Sequence, residues 1–499
     1  MIIFIIFFGA LFVMLIQRQR KMKETLELSR TLRNKYTALP IVGHGLMFLG
    51  SNEDRMKAFQ KLGYEAIRSK YGMTSLWLGT EYYTFICDPV IAEIISKACI
   101  DKPDMARFSR PLLGNGLIFA PVNIWRPRRK VLAPTFSVKN LNCFVAIFAQ
   151  KSLLLANCLA PRAGAGTFSI WEYIASYTTD SVCQTILGVN MSAQKQIDHP
   201  FLKAFGDYTK LVSARILQIW LHWDPLYKCL PVYLEAEKNI RIIHEFVDEV
   251  IQNKKMSLRQ QIASAQTARI LTFLDLLISS SGGANGYTNL ELREETLVLL
   301  LAGTDTSAVG ACFSILMLSR YMDVQEKAYR EIKEIFGDSK RPVSLDDLPR
   351  LKYIDALIKE ALRLYPPVPI ISRKIERNIK MPSGITLPAG ISAAIFIWGI
   401  HRNPRYWGED AEEFNPDRFL KPLEYPSAYM AFSYGPRNCL GYQYAMMSLK
   451  IAIATLLREY RVLPPDDIAP EDLKKPLRLS FNIMMKDVDN FKVRIERRK

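Results

Sequence analysis

Histidine is scarce in this sequence: five residues, at 44, 199, 222, 244 and 401, in a chain of 499. Their spacing suits no metal and sets up no recognisable catalytic pairing, which argues against a histidine-ligated centre. Cysteine occurs eight times, at 87, 99, 143, 158, 183, 229, 312 and 439, without a C-x-x-C pair or zinc-like spacing. Several of these cysteines lie in apolar runs and read as buried thiols, which fits a reducing, cytosol-facing environment better than a disulfide framework. No internal repeat, low-complexity tract or nucleic-acid motif is visible. Lys and Arg total 66 against 49 acidic residues, a formal +17. The excess is spread along the chain, so most of it reads as solvated surface and not as a nucleic-acid face.

Charge is also missing from Met1 to Ile16, and Arg18, Arg20, Lys21 and Lys23 follow at once. About 16 helical residues reach roughly 24 Å, slightly short of a hydrocarbon core unless Gln17 and Arg18 snorkel. A cleaved signal would carry its basic residues first and small residues at a cleavage site; this segment does neither. Residues 1–17 are therefore expected to be a signal-anchor, with a cleaved signal and a buried helix as the alternatives. The basic flank then leaves the bulk of the chain on the cytoplasmic side. Residues 18–45 read as a basic linker ending at Leu39-Pro40-Ile41-Val42-Gly43-His44-Gly45.

The whole chain is 49% hydrophobic, enough for a large core, which is expected in 46–499. An amphipathic pattern predicts a helix from Asp54 to Lys70, and Thr74 to Cys87 reads as two short strands around Gly79. Helical patterns dominate to about Leu364, interrupted by a loop at Ser280–Gly286. Strand-like runs return between Ile375 and Ile397, broken by Pro382-Ser383-Gly384 and Pro388-Ala389-Gly390. The expected class is mainly α with small β-sheets.

Within this frame one cysteine stands apart, in Phe432-Ser433-Tyr434-Gly435-Pro436-Arg437-Asn438-Cys439-Leu440-Gly441. Glycines permit a tight turn and close backbone approach. The apolar run Tyr442 to Leu457 reads as a helix beginning beside Cys439, which favours an anionic sulfur. Arg437 is placed to meet an anionic edge. A buried structural cysteine in a Gly-Pro turn is the plainer alternative.

This motif resembles the haem-binding signature of the cytochrome P-450 superfamily, the haem-thiolate monooxygenases, and the resemblance extends over almost the whole chain. Glu360-Ala361-Leu362-Arg363 is similar to the family's E-x-x-R pair, and Phe414-Asn415-Pro416-Asp417-Arg418-Phe419 to the segment supplying its third member, Arg418. Residues three apart on a helix share a face, so Glu360 and Arg363 can pair, and a second arginine can satisfy the remaining carboxylate oxygens. Alone, the pair would be an ordinary exposed helical ion pair. Ala302-Gly303-Thr304-Asp305-Thr306-Ser307 resembles the family's central helix, where an acid-Thr pair crosses above the haem. Ala302 and Thr306 share a face, leaving room for dioxygen beside a hydroxyl, although such a Thr can instead bond back to its own helix. Trp125-Arg126-Pro127-Arg128-Arg129 is similar to the W-x-x-x-R element that contacts a haem propionate through Trp125 and Arg129, with Pro127 tolerable in a first helical turn. Arg373 occupies the place of a further propionate ligand. His401, in His401-Arg402-Asn403-Pro404, looks structural.

The resemblance implies a single large catalytic domain over 46–499. Cys439 would be the axial ligand of haem b, with Arg437, Trp125, Arg129, Arg373, Phe432, Gly435, Gly441 and Ala302 as haem contacts. Asp305 and Thr306 would serve proton delivery. Glu360, Arg363 and Arg418 would be structural. NADPH would act through an NADPH-cytochrome P-450 reductase, with cytochrome b5 as a second partner, at the endoplasmic reticulum membrane. Arg126, Arg128 and Lys130, with Lys450, are expected to form the docking face for the reductase. Substrate contacts would come from Phe108 to Ala120, Leu299 to Thr306 and Val368 to Ser372.

Arg128-Arg129-Lys130-Val131-Leu132-Ala133-Pro134-Thr135-Phe136 and Leu364-Tyr365-Pro366-Pro367-Val368-Pro369 look most like the microsomal family-4 clan, which includes fatty-acid hydroxylases and enzymes acting on hormones, odorants and foreign compounds. Many members carry at the position of Ala302 a Glu that esterifies the haem, so non-covalent haem is expected here. Thr304 and Ser307 also depart from the clan pattern, which weakens the case for a strict terminal fatty-acid hydroxylase. A rearranging enzyme that uses no external dioxygen and a membrane-tethered haem carrier or gas sensor are the other readings. Retention of Asp305 and Thr306 argues against the rearranging enzyme.

Overall fold

The computed structural model describes residues 22–40, 42–79, 81–195, 199–264, 272–282 and 286–498. The expected signal-anchor at 1–17, and part of the loop at Ser280–Gly286, lie outside them. The chain is mainly helical with small sheets, as its composition of periodic apolar runs requires. It resolves into two compact units, each assembled from separated stretches.

The first unit comprises Met1–Asp104, Pro369–Ala411 and Ser427–Asn438. Its helix Asn52–Arg68 starts where Ser51 and Asp54 exchange side chain-to-backbone bonds, which satisfies N–H groups that have no intrahelical partner. The strands Met73–Leu78 and Glu81–Ile86 form the expected hairpin, with Trp77 opposite Tyr82. Glu81–Ile86 then pairs in parallel with Ser392–Phe396, and that strand pairs antiparallel with Ile370–Lys374. Ser392–Phe396 is buried throughout, as an inner strand covered on both faces should be. Helix Pro89–Ala98 is capped by Asp88, whose carboxylate accepts from Val90 and Ile91. Met73, Ile86, Ile91, Ile95, Ile395 and Met430 belong to one apolar core. His401 is part of the scaffold: its Nε2 accepts the Met430 N–H at 2.8 Å.

The second unit comprises Met105–Val368, Glu412–Pro426 and Cys439–Lys499. Its axis is the helix Asn289–Arg320, started by a capping box between Thr288 and Glu291. From Ser307 to Ser319 every residue of this central helix is buried, so the helix is apolar all round because protein surrounds it. It and the stretch Val138–Arg162 are apolar and long enough to cross a membrane, but most of each is packed inside the unit, as in core helices. Helices Trp171–Val182, Lys352–Leu364, Tyr442–Glu459 and Pro231–Ser264 pack around the central one. Two small sheets complete the unit: a hairpin of Leu479–Asn482 with Met484–Asp487, and Lys492–Arg497 flanked by Phe168–Ser169 and Tyr460–Leu463.

One local expectation is overturned. Pro127 does not fall in a first helical turn; helix Val122–Leu132 begins five residues earlier, so Pro127 lies inside it. A proline there removes one hydrogen bond from the ladder.

Candidate functional site

In the second unit, Cys439 stands two residues before Gly441, the N-cap of helix Tyr442–Glu459. Its side chain is open to solvent, yet burial is the largest influence on the thiol and pushes its pKa up. The side chain thus meets solvent on one side while protein atoms crowd the sulfur on the other. The Gly441 N–H and the Arg129 guanidinium oppose the rise. A thiolate at this position is thus costly by itself, and a bound metal cation would stabilise it. Helix Val122–Leu132 carries Trp125, buried, and Arg129 one turn later, half-buried, so both fall on one face.

The central helix carries Ala302 and Thr306 on one face, and the Thr306 hydroxyl donates to the Ala302 carbonyl. The hydroxyl is therefore engaged with its own helix, the plainer of the two roles open to it. Thr304 does the same with Leu300. Asp305, between them, is half-buried; burial pushes its pKa up, and Lys486 on strand Met484–Asp487 pulls it back. Lys486 also stands 3.7 Å from the centre of the Trp171 ring. Nothing local in the sequence marks Lys486, some 180 residues away.

Glu360 and Arg363 are fully buried and joined through two bonds of 2.7 Å. Glu360 Oε1 also accepts the Asn415 N–H at 2.8 Å and has Arg418 Nε at 3.4 Å, and Arg363 donates to the Glu413 carbonyl at 2.9 Å. This pins the 3-10 turn Pro416–Leu420 to helix Lys352–Leu364.

In the first unit, Gly435 adopts φ +74, and a Cβ there would stand 2.5 Å from the Ser96 carbonyl oxygen, so only glycine fits. Phe432 is half-buried. Arg437 donates from Nε to the Ile100 carbonyl at 3.1 Å. Arg373 is 1% exposed, bonded to the Ser372 carbonyl and weakly to Ser433, while its Nε has no partner. Burial brings Arg373 down to about 10 and holds Lys102 well below its ordinary value, and the charges beside Lys102 are Arg373 and Arg437. Among the described residues no carboxylate pairs with Arg373 or Lys102. Arg373, a buried cation without an acid, calls for an anionic ligand, and a carboxylate-bearing cofactor edge fits; Lys102 near it is half-buried. Lys102 escapes a sequence reading because it lies outside every motif.

Two members of the expected docking face are corrected. Arg128 is 6% exposed and bonded to Glu294 at 2.7 Å and Glu295 at 3.1 Å, because its position on the helix turns it inward. Lys450 donates to the Leu348 carbonyl at 2.7 Å and lies 3.5 Å from Asp355. Both are committed to internal bonds; Arg126 and Lys130 are exposed.

In the second unit a cysteine stands at a helix start with an arginine beside it, which on a mainly helical scaffold is the setting of a haem-thiolate ligand; in the first unit Arg373, buried without an acid, suits a cofactor carboxylate. The sequence profile of the Cytochrome P450 family matches residues 35–487, and the chain belongs to that family. Its relatives include cytochrome P450 4c3 of Drosophila melanogaster, 30% identical over 480 residues (92% of this chain, 88% of the relative). Cytochrome P450 4d2 of the same species is 31% identical over 470 residues (90% and 91%). Cytochrome P450 4V2 of Homo sapiens is 29% identical over 507 residues (98% and 94%). The chain is a cytochrome P450 monooxygenase with a haem-thiolate cofactor.

Proposed function

We propose that this chain is a membrane-anchored monooxygenase that inserts one oxygen atom of dioxygen into a lipophilic substrate, drawing electrons from NADPH through a flavoprotein reductase, with cytochrome b5 as a second donor. Residues 1–17 would hold it in the endoplasmic reticulum membrane, with 18–45 as linker and 46–499 as the catalytic domain on the cytoplasmic side. The substrate is a fatty acid, hormone, odorant or foreign compound, in keeping with the apolar character of Phe108–Ala120, Leu299–Thr306 and Val368–Ser372.

Bound haem supplies the redox chemistry that activates dioxygen, and a thiolate ligand favours O–O cleavage. The protein's own residues do the rest. Cys439 would hold the haem iron through its sulfur, and the Gly441 N–H would temper the thiolate charge. Trp125, Arg129, Arg373 and Arg437 are donors that would meet the carboxylates of the cofactor and orient it. Phe432, Gly435 and Ala302 give it room. Burial makes Asp305 hold a proton more readily than an exposed Asp, and Thr306 would pass a proton onward from its hydroxyl. Glu360, Arg363 and Arg418 keep the scaffold below in register. Arg126 and Lys130 offer exposed positive charge to an acidic reductase.

The observation that carries this reading is Cys439, open to solvent beside the Gly441 N–H and Arg129 and two residues ahead of the N-cap of helix Tyr442–Glu459, in a chain of the Cytochrome P450 family. Reconstitution of the full chain with reductase tests it: NADPH oxidation should rise on adding a substrate, and the product should carry one atom from labelled dioxygen. Product formed without dioxygen would point to a rearranging enzyme instead. A screen of fatty acids, terpenoids and insecticides by the haem spin-state change would identify the substrate class.

A further inference from the structure

The segment Leu113-Gly114-Asn115-Gly116-Leu117 is held by charged side chains from two helices of the second unit. Glu294 and Glu295, both buried on the central helix, accept its backbone N–H groups: Asn115 to Glu294 Oε1 at 2.9 Å and Leu117 to Glu295 Oε2 at 3.1 Å. Arg128 completes the cluster, with Nη1 donating to the Asn115 carbonyl at 2.8 Å, Glu294 Oε2 at 2.7 Å and Glu295 Oε1 at 3.1 Å. Its Nη2 lies 3.5 Å from Glu291. The glycines let the backbone lie flush on the helix. A Cβ at Gly114 would stand 2.1 Å from Glu294 Oε1, and one at Gly116 would stand 2.4 Å from Val298 Cγ2 and 2.6 Å from the Glu294 carbonyl oxygen.

One guanidinium faces two buried carboxylates, so the pair is short of positive charge. The backbone N–H groups of the segment make up part of the deficit, and the cluster is well satisfied only while the segment is docked. A purely structural ion pair would join helix to helix; this one also grips a loop rich in glycine, the residue that loses most freedom on ordering. The grip falls at Glu294–Val298, one to two turns before Ala302–Thr306, and the segment leads directly into the helix that carries Trp125 and Arg129.

We propose that Arg128, Glu294 and Glu295 are positioning residues for substrate: they clamp Leu113–Leu117 on the central helix as a wall beside Ala302–Thr306, so that affinity for a bulky lipophilic ligand depends on the clamp. This rests on the reading above that Phe108–Ala120 contributes to the substrate site. The probes are 4-phenylimidazole, which needs a formed apolar wall, and imidazole, which is too small to need one; both are followed by the haem absorption change in the full-length holoprotein. Arg128→Lys keeps the charge and loses the simultaneous bonds. It should speed amide exchange at Asn115 and Leu117 about tenfold or more and weaken 4-phenylimidazole about fivefold, with imidazole unchanged. Gly116→Ala displaces the segment without touching a charge and should give the same split, which keeps the test available if Arg128→Lys does not fold. Phe119→Ala reports on the segment's place in the site directly. If it alters 4-phenylimidazole affinity while the two clamp variants do not, the clamp proposal is overturned and the site reading stands. If none of the three alters it, the site reading falls and the proposal with it. Unchanged exchange at Asn115 and Leu117 in both clamp variants would also overturn the proposal.

Discussion

At Thr306 one hydroxyl has two claims on it: the Ala302 carbonyl, which it meets in the structure, and the dioxygen it is proposed to serve. A hydroxyl keeps its acceptor capacity while donating, so the helix bond leaves it able to receive a proton. Thr306→Ala is expected to retain the haem spectrum and divert reducing equivalents to peroxide, and Thr306→Ser to restore part of the coupling. The ratio of peroxide to NADPH consumed measures both; full coupling in the alanine variant would remove the hydroxyl from the mechanism. Asp305 adds a pH dependence with a definite sign. Burial raises its pKa and Lys486 lowers it, so Lys486→Met should leave Asp305 protonated to higher pH and move the alkaline limb of the coupling profile upward. At this scale the sequence is unevenly legible. Asp305, Thr306 and Cys439 stand in short-range motifs, whereas Lys486 and Lys102 acquire their neighbours only through folding and have no local mark.

Among the elements, the helix Lys352–Leu364 shows how far spacing carries and where it stops. The interval of three between Glu360 and Arg363 predicts their pairing. The Asn415 N–H and the Glu413 carbonyl, which complete it, are backbone groups that no side-chain pattern announces. Breaking such a buried pair leaves one charge uncompensated, so Glu360→Ala should cost about 3–5 kcal/mol, read as a lowered denaturation midpoint and loss of bound haem. Helix Val122–Leu132 gives the opposite lesson. Its five-residue motif identifies Trp125 and Arg129, but the direction Arg128 faces depends on helical phase and on two carboxylates remote in sequence. Burial lifts Glu295 from an ordinary 4.5 to about 7. Between those values the folded state holds a proton that the unfolded state has released, so stability falls as pH rises through that window and is level above it. The whole effect is on the order of 3 kcal/mol. Glu295→Gln should flatten the decline in unfolding midpoint between pH 5 and pH 8; an unchanged decline would show that another group causes it.

For the whole molecule, class was readable from long periodic runs and from motifs spread between Trp125 and Gly441. The strand pairings across hundreds of residues, such as Glu81–Ile86 with Ser392–Phe396, were not, because non-local partners leave no periodic trace. Membrane attachment is a property of the full chain as well. Removing residues 1–17 should move the protein from the membrane pellet toward the soluble fraction while azole binding is retained; unaltered sedimentation would mean that other surfaces suffice.

The chain passes from one compact unit to the other after residues 104, 368, 411, 426 and 438, the last of these within the cysteine motif itself. Neither unit is thus a continuous stretch that a single recombination event could lift out and replace. A chimera made by exchanging one continuous stretch with a relative would therefore have to carry matched contacts across whichever unit its junctions divide.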